Sequence, residues 1–271
     1  MTTAILDHVV INTRRSMDAA AAAFADLGFT LTPRGEHSLG SINHLMVFDD
    51  NYLELLGLPV AGPARRPELL EAPLGLDGVV FKTDDAEASF EVLVAADLAD
   101  RPPAGFDRPV DLGDRVASAR FRTVHARRDR CPEGRVYFCE HATPELVWRP
   151  EWQAHANGAQ TIAEMVLVAA DPAAVSARYA AISGGNPLIT VLSPAALGDR
   201  YGVLARPLDG GAAQLAALVV ATDDLAAART MAAAAPGVTL ATLDDHRFAV
   251  RVDDFDTVIE FVTPAAARAI T

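Results

Sequence analysis

The residues of this chain that could carry chemistry sit inside short apolar runs, where a polar side chain needs a reason to be. His8 lies in LDHVVINT, Glu54 in YLELLGL, and Cys139 and His141 in RVYFCEH. Alternate residues of a strand share a face, so Leu6, His8 and Val10 are expected on one side and Asp7, Val9 and Ile11 on the other. By the same rule Tyr52, Glu54 and Leu56 share a face, as do Tyr137, Cys139 and His141. A carboxylate inside an apolar strand is costly to bury unless it is paired or coordinated. Imidazole, thiolate and carboxylate are the donors that hold zinc and other divalent ions. His8 and Glu54 are therefore either ligands of such an ion or groups satisfied internally. Cys139 and His141 are either further donors or pocket wall.

These residues must be positioned by a repeat. Residues 5–28 read as a strand around Val9–Ile11 followed by a helix with Met17, Ala20, Ala21, Phe24 and Leu27 on one face. Gly28 suits the left-handed turn at the helix end. FTLTP, NHLMVF and NYLELLGL supply three more strands, giving a βαβββ unit. The opening recurs at offsets of 70, 156 and 210, in GLDGVVFKT, IAEMVLVAADP and LAALVVATDDL. Closing strands are expected at 51–58, 135–141 and 257–262, and the third unit is the least regular, with PLITVL and RYGVLARPL as its strand candidates. The fold class is α+β: four βαβββ units forming two cup-shaped mixed sheets with helices outside. The Pro- and Gly-bearing segment 144–160 separates halves 1–150 and 151–271. Its Trp148 and Trp152, with His155 and Asn157, read as a clamp between them.

Composition narrows the classes. The 271 residues carry 23 basic and 36 acidic side chains, a net charge of −13. Without a Lys/Arg-rich run, a nucleic-acid partner is not expected. No apolar stretch is long enough to span a membrane. The start MTTAILDHVVINT has no basic region or cleavage site of a secretory signal, which makes the cytoplasm the expected address and free thiols the expected state of Cys131 and Cys139.

The paired βαβββ units, the LDHVVINT opening with its His, and the YLELLGL closure with its Glu resemble the vicinal oxygen chelate superfamily. The stretch from His37 through Asn43 and His44, followed by YLEL, resembles its glyoxalase-like branch, and the resemblance covers nearly the whole chain. It implies a cup with a metal inside, held by His8 and Glu54, with Cys139 or His141 completing the site. At the equivalent positions of unit two stand Gly78, which cannot ligate, and Cys139, matched from Y52-L-E54 against Y137-F-C139. The second half reads Glu164, Leu218 and Glu260 at these positions, which argues against the two imidazoles and one carboxylate of an extradiol iron site. There Glu164 is expected at a solvated strand entrance.

The resemblance thus implies a metal-dependent lyase or isomerase using zinc, nickel, manganese or iron. It would act on a small oxygen-rich molecule through an enediolate-like intermediate, with Glu54 as ligand and catalytic base. His37, Asn43, His44 and Arg122 are the candidate substrate contacts, with Arg34 and His125 nearby. The missing ligands favour an alternative, a metal-free cup that binds a small molecule in the manner of bleomycin-resistance proteins. A homodimer is compatible with either reading.

Overall fold

The apolar runs that open the repeats become the central strands of two sheets. The computed structural model describes residues 4–208 and 210–270. The first sheet comprises β1 (Leu6–Arg14), β2 (Gly35–Glu36), β3 (Ile42–Val47), β4 (Tyr52–Gly57), β5 (Gly75–Thr83), β6 (Ala104–Asp111), β7 (Val116–His125) and β8 (Arg135–His141). Its order is β2-β3-β4-β1-β5-β8-β7-β6. The strands β1 and β5 meet antiparallel at the centre, and β4 and β8 each run parallel to the first strand of their own unit.

The second sheet comprises β9 (Ala159–Ala169), β10 (Ile189–Leu192), β11 (Ala213–Thr222), β12 (Val238–Asp244), β13 (Arg247–Val252) and β14 (Thr257–Val262), in the order β10-β9-β11-β14-β13-β12. The repeat helices are α1 (Met17–Asp26), α3 (Ala86–Ala95), α4 (Pro172–Ser183) and α6 (Leu225–Ala234). A single turn, α2 (Glu68–Glu71), and two further helices, α5 (Pro194–Tyr201) and α7 (Pro264–Ile270), complete the set among the described residues. None is long and apolar enough to cross a membrane.

Three of the repeat helices begin on an aspartate whose carboxylate accepts from the N–H three residues on: Asp85 from Ala88, Asp171 from Ala174 and Asp224 from Ala227. Such caps satisfy a donor that the helix cannot, each contributing about 1 kcal/mol. The apolar faces of all four repeat helices join one core with Leu6, Val9 and Ile11 of β1 and Met165 and Leu167 of β9. This core covers one face of each sheet. Gly28 takes φ +86°, and a Cβ there would lie 2.3 Å from Met231 Sδ.

Two strand expectations change. FTLTP is not a strand: Thr32 engages Leu45 once through its backbone and once through its hydroxyl, Pro33 has no N–H to offer, and pairing resumes only at Gly35–Glu36. RYGVLARPL is not a strand either. Its Tyr201 ends α5, and a 3-10 turn follows at Gly202–Leu204. Leu197, Tyr201 and Leu204 fill the concave side of the second sheet. That cup is occupied by its own chain, whereas the first remains hollow.

Candidate active site

Two irregularities in the first sheet build the site. The pairing of β1 with β5 shifts between Leu6 and His8, so that Leu6 faces Phe81, His8 faces Val80, and Asp7 is an extra residue. A bulge of this kind breaks the two-residue alternation. Leu6 stays with Val9 and Ile11 on the helix side, while Asp7 and His8 both turn to the concave side. Strict alternation had placed Asp7 with Val9 and Ile11. The second unit repeats the device. The pairing jumps from Val10–Gly78 to Ile11–Leu76, leaving Asp77 extra, and Arg135 pairs with it at 2.8 Å.

The second irregularity is one of register. Val10 lies opposite Glu54, and Val80, its counterpart 70 residues on, lies opposite Tyr137. Tyr137, not Cys139, therefore occupies the place of Glu54 in unit two. The letter match of Y52-L-E54 with Y137-F-C139 is two residues out of step.

The resulting cavity has a volume of about 60 Å³ and is bordered by His8, His37, Asn43, Glu54, Tyr137 and Cys139 among others. His8 stacks on Tyr52 with ring centroids 4.3 Å apart. Its Nδ1 lies 2.7 Å from Asp7 Oδ2, and its Nε2 lies 3.1 Å from the Tyr137 hydroxyl and 3.7 Å from Glu54 Oε2. An ionised Asp7 fixes the tautomer, with Nδ1 donating and Nε2 free to accept from the phenol. Burial would push the Asp7 carboxyl up, but the His141 and His8 imidazoles beside it hold it well below the usual carboxylate range. Burial raises the phenols of Tyr52 and Tyr137 well above their ordinary value, so both remain protonated.

On the other side, Glu54 Oε1 accepts from Asn43 Nδ2 at 2.7 Å, and His37 Nε2 is 4.0 Å away. The His37 Nδ1 bonds Ser41 Oγ at 2.8 Å. Burial pushes His37 down to about 4; Glu54 opposes this and Arg108 and Arg66 reinforce it, so the ring is neutral near pH 7.

His8, Glu54, His37 and Asn43 thus come together. Cys139 borders the cavity, but His141 turns to Asp7, with Nε2 at 2.8 Å from Oδ2. His44 lies off the cavity, its Nδ1 on the Thr32 carbonyl at 2.7 Å. Arg122 lies off it as well, paired on the outside with Glu87 and Glu140. Asp7, Tyr137 and Arg108 were not singled out from sequence. The recurrence of Leu-Asp in LDH and LDG was the one available signal for Asp7.

The donors divide into two groups. Around His8 and Glu54 stand a phenol, an amide, the bare Gly78 and His37, whose Nε2 is 4.0 Å from Glu54 Oε1, but among the described residues these donors do not close into a set all within 4.8 Å of one another. Asp7, Cys139 and His141 offer donors within 4.8 Å of one another and could hold a metal ion; among the described residues Asp7 Oδ1 and His141 Nδ1 are buried without a hydrogen-bond partner, Lys82 Nζ standing 3.9 Å from that carboxylate oxygen. Both cysteines are free thiols, and burial pushes Cys139 well above the ordinary thiol range.

In the second sheet Glu164 and Glu260 are buried, not solvated. Arg200 of α5 reaches both, at 2.7 Å and 2.9 Å. The linker bridges the halves through His155, which accepts from Thr30 N–H at 3.0 Å and reaches the Val47 carbonyl at 3.0 Å.

The glyoxalase-like domain family matches residues 6–183. No curated protein matches the sequence. Among solved structures the chain is similar to a triple mutant of 4-hydroxymandelate synthase from Streptomyces coelicolor, at 11% identity and a TM-score of 0.58 over 97% of this chain and 93% of that one. It is similar to a xylose isomerase-like TIM barrel/4-hydroxyphenylpyruvate dioxygenase fusion protein at 12% identity and a TM-score of 0.55, over 99% of this chain and 52% of that one. A hypothetical protein from Staphylococcus aureus aligns at 11% identity and a TM-score of 0.51, over 96% of this chain and 86% of that one. At these identities the likeness is one of fold.

Proposed function

Since the chain belongs to the glyoxalase-like domain family of the vicinal oxygen chelate superfamily, we propose that it is an enzyme that moves a proton on a small hydroxycarbonyl compound through an enediolate-like intermediate. One observation carries the reading. His8 Nε2 and Glu54 Oε2 stand 3.7 Å apart facing one small cavity, with Asp7 holding the other imidazole nitrogen.

Glu54 takes the proton from the carbon that bears the hydroxyl group. The C–H electron pair moves toward the neighbouring carbonyl, whose oxygen becomes negative. The protonated Tyr137 phenol is the donor for that oxygen, and His8 Nε2 takes the hydroxyl proton. Return of the carbon proton to the neighbouring carbon, with Tyr137 giving its proton to the oxygen there and regaining one from His8, 3.1 Å away, isomerises the substrate; return to the same carbon, with His8 handing the hydroxyl proton back, epimerises it. Asn43 holds Glu54 in place through its amide.

A metal-dependent form of this chemistry draws support from Asp7, Cys139 and His141, whose donor types suit zinc. A divalent ion bound there would supply a Lewis acid beside the cavity.

The test is proton exchange in D2O. Dihydroxyacetone and hydroxypyruvate, followed by NMR, are expected to exchange their carbinol protons faster with the protein than without it. Glu54→Gln is expected to abolish the gain. Binding without exchange would favour the metal-free binding cup. Elemental analysis of untagged wild type and Cys139→Ser decides the metal-dependent form: an ion retained by the wild type and lost in the variant supports it.

A further inference from the structure

Three arginines border the cavity, and they differ in what they touch. Arg135 is paired with Asp77 at 2.8 Å. Arg66 gives its Nε to Glu68 at 2.8 Å and an Nη to Ser41 at 3.2 Å. Arg108, in β6, is 3% exposed and takes part in no ion pair among the described residues; its Nη2 is buried with no hydrogen-bond partner. Glu54 acts on it through charge without touching it, its Oε1 being engaged by Asn43.

An isolated buried charge is expensive, and such groups are paired or hydrogen-bonded wherever the chain can arrange it. Here the chain arranges the reverse. Gly35 leaves space beside the guanidinium, since a Cβ there would stand 3.1 Å from Arg108 Cδ and 3.2 Å from Nη1. Arg135 and Arg66 are each matched by a carboxylate of their own, Asp77 and Glu68, and burial holds the rings of His37 and His125 neutral, so Arg108 is the cavity arginine left without a salt-bridge partner among the described residues.

We infer that Arg108 is the anchor for a carboxylate on the substrate, so that the cavity takes small hydroxycarbonyl acids in preference to their neutral counterparts. The inference rests on reading the cavity as a hydroxycarbonyl site and adds the acid. A carboxylate fits better than a phosphate because a single guanidinium is unpaired among the described residues and much of the remaining wall is apolar, with Leu39, Phe106 and Phe121. Carboxylate and guanidinium pair through charge-assisted hydrogen bonds, which fix orientation as well as affinity.

The experiment compares two probes that share the hydroxyketone and differ in the acid. Hydroxypyruvate and dihydroxyacetone are titrated calorimetrically into wild type, Arg108→Gln, Arg108→Lys and the exposed control Arg115→Gln, with folding checked by circular dichroism. Hydroxypyruvate is expected to bind wild type at least tenfold tighter than dihydroxyacetone. That preference is expected to vanish in Arg108→Gln, return in part in Arg108→Lys and stay intact in Arg115→Gln. Equal affinity for the two probes in wild type overturns the inference, as does no binding of hydroxypyruvate or tighter binding of inorganic phosphate. If Arg108→Gln is misfolded, the wild-type preference and the behaviour of Arg108→Lys decide between anchor and no anchor. Dihydroxyacetone exchange tests the proton-transfer reading separately. Exchange without acid preference sinks the anchor alone, whereas acid preference without exchange sinks the proton-transfer reading alone.

Discussion

Asp7 Oδ2 lies 2.7 Å from His8 Nδ1, although residues adjacent in a strand ordinarily point to opposite faces. The bulge makes the contact, and it leaves His8 Nε2 as the nitrogen turned to Tyr137 and Glu54. Replacing the carboxylate by an amide keeps the shape but removes the anion that selects this tautomer. Asp7→Asn is therefore expected to slow substrate proton exchange by on the order of 10²-fold. An unchanged rate in a folded Asp7→Asn protein would show that the tautomer is fixed by something else.

The cavity also separates the sequence candidates. Glu54→Gln and His8→Ala each remove a group that handles a proton, and each is expected to lower the exchange rate by roughly 10²- to 10⁴-fold. His44 bonds the Thr32 carbonyl and Arg122 bonds Glu87 and Glu140, both away from the cavity. Substituting His44→Ala or Arg122→Gln is expected to leave the rate within about threefold. A large loss in either would move the substrate toward the outer face of β3 or β7.

Much of this arrangement was legible in the chain. The four strand–helix openings and the facing of His8 and Glu54 into one cavity follow from repeat spacing and from the cost of polar groups in apolar strands. What alternation could not show was the bulge, because an extra residue in a strand leaves no mark on a single sequence beyond the recurring Leu-Asp. Register was misjudged for a related reason. Tyr52 and Tyr137 look equivalent, but β4 and β8 slide by two residues relative to their first strands, and only the pairing of Val10 with Glu54 and Val80 with Tyr137 reveals it. Arg108 was invisible in sequence, since its significance is that no ion-pair partner meets it among the described residues. The polar positions of the second half were legible as residues, but their burial depended on Arg200, sixty positions from Glu260.

His125 makes a pH prediction. Its ring stacks on Tyr137 at 4.6 Å, and burial, reinforced by Arg101, Arg135 and Arg66, pushes it down to about 3. An unfolded chain would bind a proton here near the ordinary value of 6.5, so between pH 6.5 and 3 the unfolded state holds more protons than the folded one. Stability from this group is complete above pH 6.5 and is lost as the pH falls toward 3, with a slope approaching about 1.4 kcal/mol per pH unit. His37 acts in the same direction down to about 4. Urea unfolding at several pH values is expected to show the slope, and His125→Asn to reduce it by about one proton. A His125→Asn slope equal to that of wild type would mean that this ring is protonated in the folded protein.

The last prediction concerns the second cup. Arg200 lies 2.7 Å from Glu164 and 2.9 Å from Glu260, two carboxylates with 1% and 0% side-chain exposure. Burial would push the guanidinium down, but hydrogen bonding to Glu164 and the charges around it hold it well above its usual value. Removing one member of such a cluster strands the others. Arg200→Ala is therefore expected to cost about 3–5 kcal/mol in urea unfolding. Replacing all three buried charges is a different matter, because it also removes their desolvation cost, and Arg247, which reaches Glu260 at 3.4 Å, keeps its pair with Asp244 at 2.6 Å. Arg200→Met with Glu164→Leu and Glu260→Leu is expected to recover most of that loss. Since Leu197, Tyr201 and Leu204 already fill this cup, the triple variant should keep full proton exchange at His8 and Glu54. Loss of exchange in a stable triple variant would instead make the second cup a working part of the site.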